Sequence, residues 1–120
     1  MENCGTQGVH YIVNFFGCDE KQLDSLDFWQ DVLPSSVAKT SISVLHSHFY
    51  KFEPQGITGF LLLSASHISI HSWPEKNYVA CDVFTCSTEE ETKSILDYLK
   101  NNLTHTKAEV KKINRAYAAY

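Results

Sequence analysis

The sequence lacks the marks of a membrane-spanning, exported or disordered chain. No apolar run approaches the roughly 18 residues that cross a bilayer, and the first ten residues have neither the basic nor the apolar region of a signal peptide. Excess positive charge is also missing, because the 120 residues include 14 acidic and 10 basic side chains. This balance argues against binding to nucleic-acid phosphates. We therefore expect one cytoplasmic domain, residues 1–120, with neither nucleic acid nor a membrane as partner.

Metal-binding patterns are equally scarce. The four cysteines form no C-x-x-C pair, and the two closest, Cys81 and Cys86, would lie on opposite faces of a strand. Without an export signal, the thiols are expected to be reduced. His67 and His71 have the spacing of zinc ligands on a helix, but their segment alternates like a strand and offers no third ligand. The sequence therefore predicts no metal.

Hydrophobic periodicity predicts a sheet and two helices. The predicted strands are residues 9–16, 40–52, 57–63, 67–73, 78–84 and 107–114. The first helix begins at a cap on Asp19 and ends or kinks at Pro34. The second begins at a cap on Ser87 or Thr88 and ends near Leu103.

Two helices are too few to cover both faces of such a sheet. The prediction is an α+β fold: a two-layer α/β sandwich with a mainly antiparallel sheet and both helices on one face. The other face is left partly bare. Its aromatic and histidine content suggests contact with a second subunit or with a substrate.

The segment from residue 64 to residue 72 carries unusually many polar side chains for a core strand. They are Ser64, Ser66, His67, Ser69, His71 and Ser72. Each would need a hydrogen-bond partner if it were buried. Periodicity alone favours a face exposed to water, because the serines and histidines alternate with isoleucines.

The letters of this segment and of its neighbours match a known pattern. Residues 56–59 read G-I-T-G, residues 66–75 read S-H-I-S-I-H-S-W-P-E, and residues 82–86 read D-V-F-T-C. Two earlier stretches, residues 8–13 (G-V-H-Y-I-V) and 48–54 (H-F-Y-K-F-E-P), extend the match over most of the chain. The sequence resembles the short prokaryotic S-adenosylmethionine decarboxylases, which make a covalent pyruvoyl group from an internal serine.

The resemblance implies that the chain cuts itself. The Ser66 hydroxyl would attack the carbonyl of Ala65, and the resulting ester would break by β-elimination into a β chain, residues 1–65, and an α chain, residues 66–120. The new N-terminus would lose ammonia and become the pyruvoyl group. That group would form a Schiff base with the substrate and act as the electron sink, so neither a metal nor pyridoxal phosphate is required.

The resemblance also assigns roles to five further residues. His71 would be the base in processing, and Thr58 would assist it. Cys86 would return a proton to the substrate carbon, and its place between a strand end and a helix N-terminus favours a reactive thiol. Phe52 would stack on adenine, and Glu75 would accept hydrogen bonds from the ribose hydroxyls. The implied reaction converts S-adenosylmethionine to S-adenosylmethioninamine for spermidine and polyamine biosynthesis.

Two features keep alternatives open. The family's usual glutamate before the serine is Ala65 here, so a pyruvoyl-dependent decarboxylase of ornithine or arginine, and a non-catalytic homologue that is never processed, stay as alternative functions. Strand parity also places Ser66 and His71 on opposite faces. Either the strand bends between them, or they meet across the interface of a homodimer, or His71 is not the base.

Overall fold

Six antiparallel strands form one sheet in the computed structural model, which describes residues 7–116. The strands are β1 (Gln7–Phe16), β2 (Val44–Lys51), β3 (Ile57–Leu63), β4 (Ser66–Trp73), β5 (Tyr78–Thr85) and β6 (Lys107–Ala116). Their order across the sheet is β2-β3-β4-β5-β1-β6, so β4 and β5 are central and β2 and β6 form the edges. The predicted α+β class and antiparallel sheet are confirmed.

The helices pack on one face of this sheet. They are α1 (Glu20–Leu23), α2 (Leu26–Val37) and α3 (Glu89–Asn102), and a 3-10 turn covers Pro74–Lys76. The hydroxyl of Thr88 accepts the Glu91 N–H and caps α3, as one of the two predicted caps. None of the helices within residues 7–116 is long and apolar enough to cross a membrane.

The first predicted helix is two helices in the structure. Asp19 caps α1 as expected, but the hydroxyl of Ser25 accepts the Phe28 N–H and begins a second helix, α2. Of the two predicted effects of Pro34, an end or a kink, the end is wrong, because α2 continues through Pro34 to Val37. The last turn is held by packing, since its apolar side chains are buried in the core and the Ser36 hydroxyl is hydrogen-bonded there as well.

Several strand boundaries also differ from the prediction, and β1 begins two residues earlier than predicted, at Gln7. Strand β2 begins at Val44 rather than at residue 40, because local hydrogen bonds turn the chain before it: the Ile42 N–H donates to the hydroxyl of Thr40, and the Ser41 N–H donates to the Glu91 carboxylate. Strand β6 runs two residues further than predicted, to Ala116, and pairs with β1 along its whole length.

Side chains along β4 alternate between the two faces of the sheet. Ser66, Ile68, Ile70 and Ser72 are buried beneath the helices. The residues between them, His67, Ser69, His71 and Trp73, point to the other face, which we call the open face. This is the alternation that the sequence predicts for a strand with one covered side.

The open face is rich in aromatic and histidine side chains. By strand register it carries five of the six histidines of the chain: His10, His46, His48, His67 and His71. Large apolar side chains are also more than a third exposed on it: Ile12, Phe60, Leu62 and Trp73. Exposed apolar side chains concentrated on one face are typical of an interface or a binding site.

Candidate active site

One end of the open face holds a cavity of about 300 Å³ between the end of β2, strands β3 and β4, and the 3-10 turn. Four residues to which the family resemblance gives a role line it: Phe52, Thr58, His71 and Glu75. They come from segments that are up to 23 positions apart in the sequence. The sheet brings them together because β3 and β4 are adjacent antiparallel strands.

Thr58 and His71 face each other across the β3–β4 pair. The Thr58 Oγ1 atom lies 3.0 Å from His71 Nδ1. In the tautomer in which Nδ1–H donates to the threonine hydroxyl, the Nε2 lone pair is left to accept a proton. The pair therefore has the geometry that an oriented base requires, in which the threonine hydroxyl fixes the orientation of the histidine ring.

Aromatic rings and a carboxylate make up the rest of the cavity wall. The Phe52 ring is exposed and lies edge-on to Tyr50, with 4.8 Å between ring centroids. Trp73 also lines the cavity and stacks on Tyr78 at 5.3 Å. Glu75 supplies a carboxylate from the 3-10 turn. Sequence reasoning assigned no role to Trp73, although it stands within the W-P-E motif.

The loop that carries Phe52 is anchored by Asp24, which sequence reasoning missed. One carboxylate oxygen of Asp24 accepts a hydrogen bond from Lys51 Nζ at 2.8 Å and another from the Gly56 N–H at 2.9 Å. The Phe52 N–H in turn donates to the Gly56 carbonyl at 2.8 Å. The Lys51 bond, followed by the Gly56 bond, lowers the pKa of Asp24. No local motif marks this contact, because its partners are about 30 positions apart.

A second group of predicted residues lies at the opposite end of β4. Ser66 is the first residue of the strand, is 6% exposed, and pairs with Leu63 on β3 and Thr85 on β5. The Cys86 N–H donates a hydrogen bond to the Ala65 carbonyl at 3.2 Å. The carbonyl that Ser66 would attack is therefore held by the backbone of the residue predicted to be the acid.

Buried hydroxyls fix the segment that carries Cys86. The hydroxyls of Thr85 and Thr92 lie 2.7 Å apart and are fully buried, which joins the end of β5 to the first turns of α3. Thr85 Oγ1 also accepts the Ser87 N–H at 3.1 Å. The Glu91 carboxylate accepts the Ser87 hydroxyl, and its bonds from Ser41 and Ser87 lower the pKa of Glu91. Cys86 sits between two anchored residues.

The expectation of reduced thiols is met at two positions and is wrong at a third. Cys18 and Cys81 are free and buried, and burial raises the pKa of the Cys18 thiol to about 11 and that of Cys81 further. Cys86 is disulfide-bonded in the structure. It is only partly buried and directly follows the last residue of β5. A disulfide sulfur carries no proton, so only the reduced form of Cys86 can act as an acid.

A polar cluster that sequence reasoning also missed occupies the open face between the two ends of β4. His10 Nε2 lies 2.9 Å from Asp82 Oδ1, and the Ser69 hydroxyl donates to the other carboxylate oxygen at 3.3 Å. The His67 ring lies 6.5 Å from the His10 ring, and partial burial lowers the pKa of His67. Within residues 7–116, no three His, Cys, Asp or Glu side chains are grouped so that they could hold a metal ion.

The two groups of site residues are separated within one chain. Ser66 and His71 are five positions apart on the same strand, roughly 16 Å along its axis. Their side chains also lie on opposite faces, since Ser66 is buried and His71 is exposed. The strand is paired regularly with both neighbours between these residues, so no bend brings them together. His71 cannot reach Ser66 of its own chain.

Together, the fold and the site define a class of α+β sandwich with candidate catalytic side chains at both ends of one central strand. Comparison with known proteins identifies the family. A family model described as S-adenosylmethionine decarboxylase matches residues 9–116. The chain belongs to the S-adenosylmethionine decarboxylase family, as the sequence motifs predict.

Individual relatives agree with the family model. A protein of Clostridium botulinum (strain Loch Maree / Type A3) named S-adenosylmethionine decarboxylase proenzyme is 40% identical over 108 residues, which covers 90% of this chain and 93% of the relative. One of the same name from Thermococcus gammatolerans is 36% identical over 115 residues, 96% of this chain and 80% of the relative. The crystal structure of the adenosylmethionine decarboxylase from Aquifex aeolicus has a TM-score of 0.88 at 30% identity, and covers 96% of this chain and 95% of that one.

The Asp24 contact generates a pH-dependent prediction. Its pKa is lower in the folded chain, so its stabilisation is present above the unfolded pKa and is lost as the pH falls through the folded one. Asp24→Asn should lower the free energy of unfolding by about 1 kcal/mol at neutral pH, allowing for exposure. The difference should shrink below pH 4 or so, measured by urea unfolding. Asp97→Asn, which breaks an exposed pair with Lys93, is the control, with a loss below about 0.5 kcal/mol. A loss at Asp24 that does not vary with pH would contradict the assignment.

Proposed function

We propose that this chain decarboxylates S-adenosylmethionine to S-adenosylmethioninamine, for polyamine biosynthesis in the cytoplasm, with a pyruvoyl group made from Ser66. The observation that carries the proposal is the Ala65–Ser66 peptide bond. It lies in a buried turn, within a family motif, with its carbonyl hydrogen-bonded to the Cys86 N–H. Family membership and the grouping of Phe52 and Glu75 around one cavity support the substrate.

Self-cleavage follows from the chemistry of this peptide bond. The Ser66 oxygen forms a bond to the Ala65 carbonyl carbon, the carbon–nitrogen bond breaks, and the hydroxyl proton ends on the nitrogen, which gives an ester. The Cys86 N–H stabilises the oxygen of Ala65 as negative charge develops on it. A base then removes the α-proton of Ser66, and the ester leaves as the carboxylate of Ala65. Water replaces ammonia at the new N-terminus.

The residues present fit a pyruvoyl group at position 66. Ser66 is the right precursor, and the thiol position that would serve as the acid is close, because the Cys86 backbone contacts Ala65. Once formed, the group supplies an electron-withdrawing carbonyl to the substrate amine, as pyridoxal phosphate does elsewhere. The Cys86 thiol, when reduced, donates the proton that replaces carbon dioxide.

The cavity at the other end of the sheet suits an adenine nucleoside. The exposed Phe52 ring and the Trp73 ring offer flat apolar surfaces on which a base can stack. The Glu75 carboxylate accepts two hydrogen bonds, as a ribose diol requires. Ornithine and arginine have neither a flat ring nor a diol, so the cavity favours S-adenosylmethionine over these amino acids.

We propose that the active site is completed by a second copy of the chain. A homodimer with opposed open faces would cover the exposed apolar side chains of that face. A two-fold axis through the middle of β4 would bring Ser66 of each copy towards His71 of the other. This arrangement makes two sites from four half-sites, and it removes the separation of Ser66 and His71 along a single strand. The polar cluster of Asp82 would then lie near the axis.

The first prediction concerns the covalent chain. Freshly purified protein should convert, without added protease, from intact chain to two fragments, residues 1–65 and 66–120, the second blocked to Edman sequencing. Ser66→Ala should stay intact, because no hydroxyl remains to attack Ala65. Intact mass spectrometry over time measures both. Wild-type protein that keeps an unmodified Ser66 indefinitely would support the non-catalytic alternative instead.

The second prediction tests whether the site is shared between copies. Ser66→Ala and His71→Ala each fail to form the pyruvoyl group alone. When the two variants are co-expressed, the His71→Ala chain should be cleaved, because its Ser66 meets the intact His71 of the partner copy. The matched control co-expresses His71→Ala with the double variant that lacks both side chains, and no cleavage is expected there. Absence of cleavage in the first mixture, with mixed dimers demonstrated, would exclude the shared site.

The third prediction separates processing from turnover at Cys86. Cys86→Ala should still be cleaved, since the backbone N–H at that position is kept, but it should release carbon dioxide at least about a hundredfold more slowly. Wild-type activity should rise on addition of dithiothreitol, because the disulfide-bonded form has no proton to give. Cys86→Ser, with a hydroxyl in place of the thiol, is the control and should be insensitive to the reductant. Unchanged turnover in Cys86→Ala would remove this residue from the mechanism.

A further inference from the structure

We infer that the turn before β4 holds Ser66 in a strained backbone conformation, and that release of this strain accelerates the cleavage of the chain. The inference rests on the self-cleavage proposed above, and it concerns the backbone rather than the catalytic side chains. Ser66 has a backbone φ of +105°, a value that residues other than glycine rarely adopt.

The positive φ falls at a position of the β3–β4 turn where a side chain raises the conformational energy. Strands β3 and β4 are joined by Ser64 and Ala65 alone, and Leu63 pairs with Ser66 across the turn. Among the described residues, neither of the two loop residues has a positive φ. The left-handed conformation falls instead on the fourth residue of the turn, where type I turns favour glycine. Serine has a Cβ where the turn favours a residue without one.

Chemistry explains why glycine cannot stand there. Self-cleavage needs a hydroxyl on the residue that follows the attacked carbonyl, and glycine has none. The turn favours a residue that cannot react, and the reaction requires a residue that the turn disfavours. This conflict makes the strain a feature of the cleavage site rather than of the turn alone.

The surrounding structure holds the turn in place. Ser66 is paired on both sides, with Leu63 and with Thr85. The Ser64 N–H donates to the Ser43 carbonyl at 2.8 Å, and the Ser43 N–H donates to the Ser64 hydroxyl at 2.9 Å. A residue constrained on every side cannot relax by a local rotation. It relaxes when the peptide bond before it breaks.

The reaction removes the constraint at its first step. When the Ser66 oxygen bonds to the Ala65 carbon and the carbon–nitrogen bond breaks, the nitrogen of Ser66 leaves the turn and takes the hydroxyl proton. The φ of Ser66 is then no longer fixed by the chain before it. Strain present in the precursor and absent from the ester lowers the barrier to the ester relative to an unstrained turn.

A stability comparison tests the strain without any cleavage. Ser66→Gly and Ser66→Ala both lack the hydroxyl, so both stay intact. The glycine variant should have an unfolding equilibrium constant roughly fivefold or more below that of the alanine variant, measured by urea titration at equal protein concentration. An alanine variant as stable as the glycine variant, or more stable, would overturn the inference even if the wild type cleaves itself.

Ser69 provides the matched control on the same strand. It has no positive φ, and its hydroxyl contact with Asp82 is lost equally in both replacements. Ser69→Gly should therefore be less stable than Ser69→Ala, the ordinary order in a strand, because glycine loses more freedom on folding. If the glycine variant is less stable than the alanine variant at both positions, Ser66 is not strained.

A measurement of the cleavage rate tests whether the strain at Ser66 accelerates cleavage. Replacing Ser64 by Asn and Ala65 by Gly gives the Asn-Gly pair of a type I′ turn, in which the two loop residues have positive φ values and the loop length is unchanged. Ser66 is kept and its strain is relieved, so cleavage should slow roughly fivefold or more relative to the control that combines Ser64→Ala with Ala65→Gly. This control also lacks the Ser64 hydroxyl, which accepts the Ser43 N–H, and has the same reduced bulk at the attacked carbonyl. Equal rates in the two variants would show that strain contributes nothing to cleavage. If the wild type never cleaves, the self-cleavage proposal fails while the stability comparison still decides whether Ser66 is strained.

Discussion

Alternation along β4 is the constraint on which the rest of this molecule depends. The strand is hydrogen-bonded on both sides, so it can neither twist out of the sheet nor shift its register. Every second side chain is therefore buried beneath the helices, and the others lie on the open face. The proposed catalytic residues follow this division, since Ser66 is buried and His71 lies on the open face.

This division makes one chain insufficient for the proposed chemistry. The proposed nucleophile, Ser66, lies at one end of β4, and the proposed base, His71, lies with the cavity at the other end, roughly 16 Å away along a strand that does not bend. The same two-layer design leaves apolar side chains such as Phe60 and Leu62 exposed. The separation of the half-sites and the exposure of the open face thus have the same cause, a sheet that is covered by helices on one face only. A second copy of the chain on the open face would cover the exposed side chains and supply the missing half of each site.

Hydrogen bonds that are distant in sequence hold the two half-sites in shape. Asp24 joins the helices to the loop of Phe52, and the buried Thr85–Thr92 pair joins β5 to α3 beside Cys86. At the proposed cleavage site, the packing leaves Ser66 in a conformation that suits glycine. A regularly hydrogen-bonded sheet therefore surrounds one strained residue, which is the arrangement expected for the self-cleavage proposed above.

The amino-acid sequence by itself determined the α+β class, most strand positions, the cap of α3 and the family, because these depend on local periodicity and on contiguous motifs. It did not reveal the break between α1 and α2 or the contacts of Asp24, it left open whether Pro34 ends or kinks the first helix, and it predicted a reduced thiol at Cys86, which is disulfide-bonded. Tertiary structure decided the course of the helices and the contacts of Asp24, since packing and long-range hydrogen bonds outweigh local preference. It also excluded one of the three explanations for the separation of Ser66 and His71, a bend in the strand. Regular pairing on both sides of β4 excludes the bend, because a bend would break backbone hydrogen bonds that the strand makes to both neighbours.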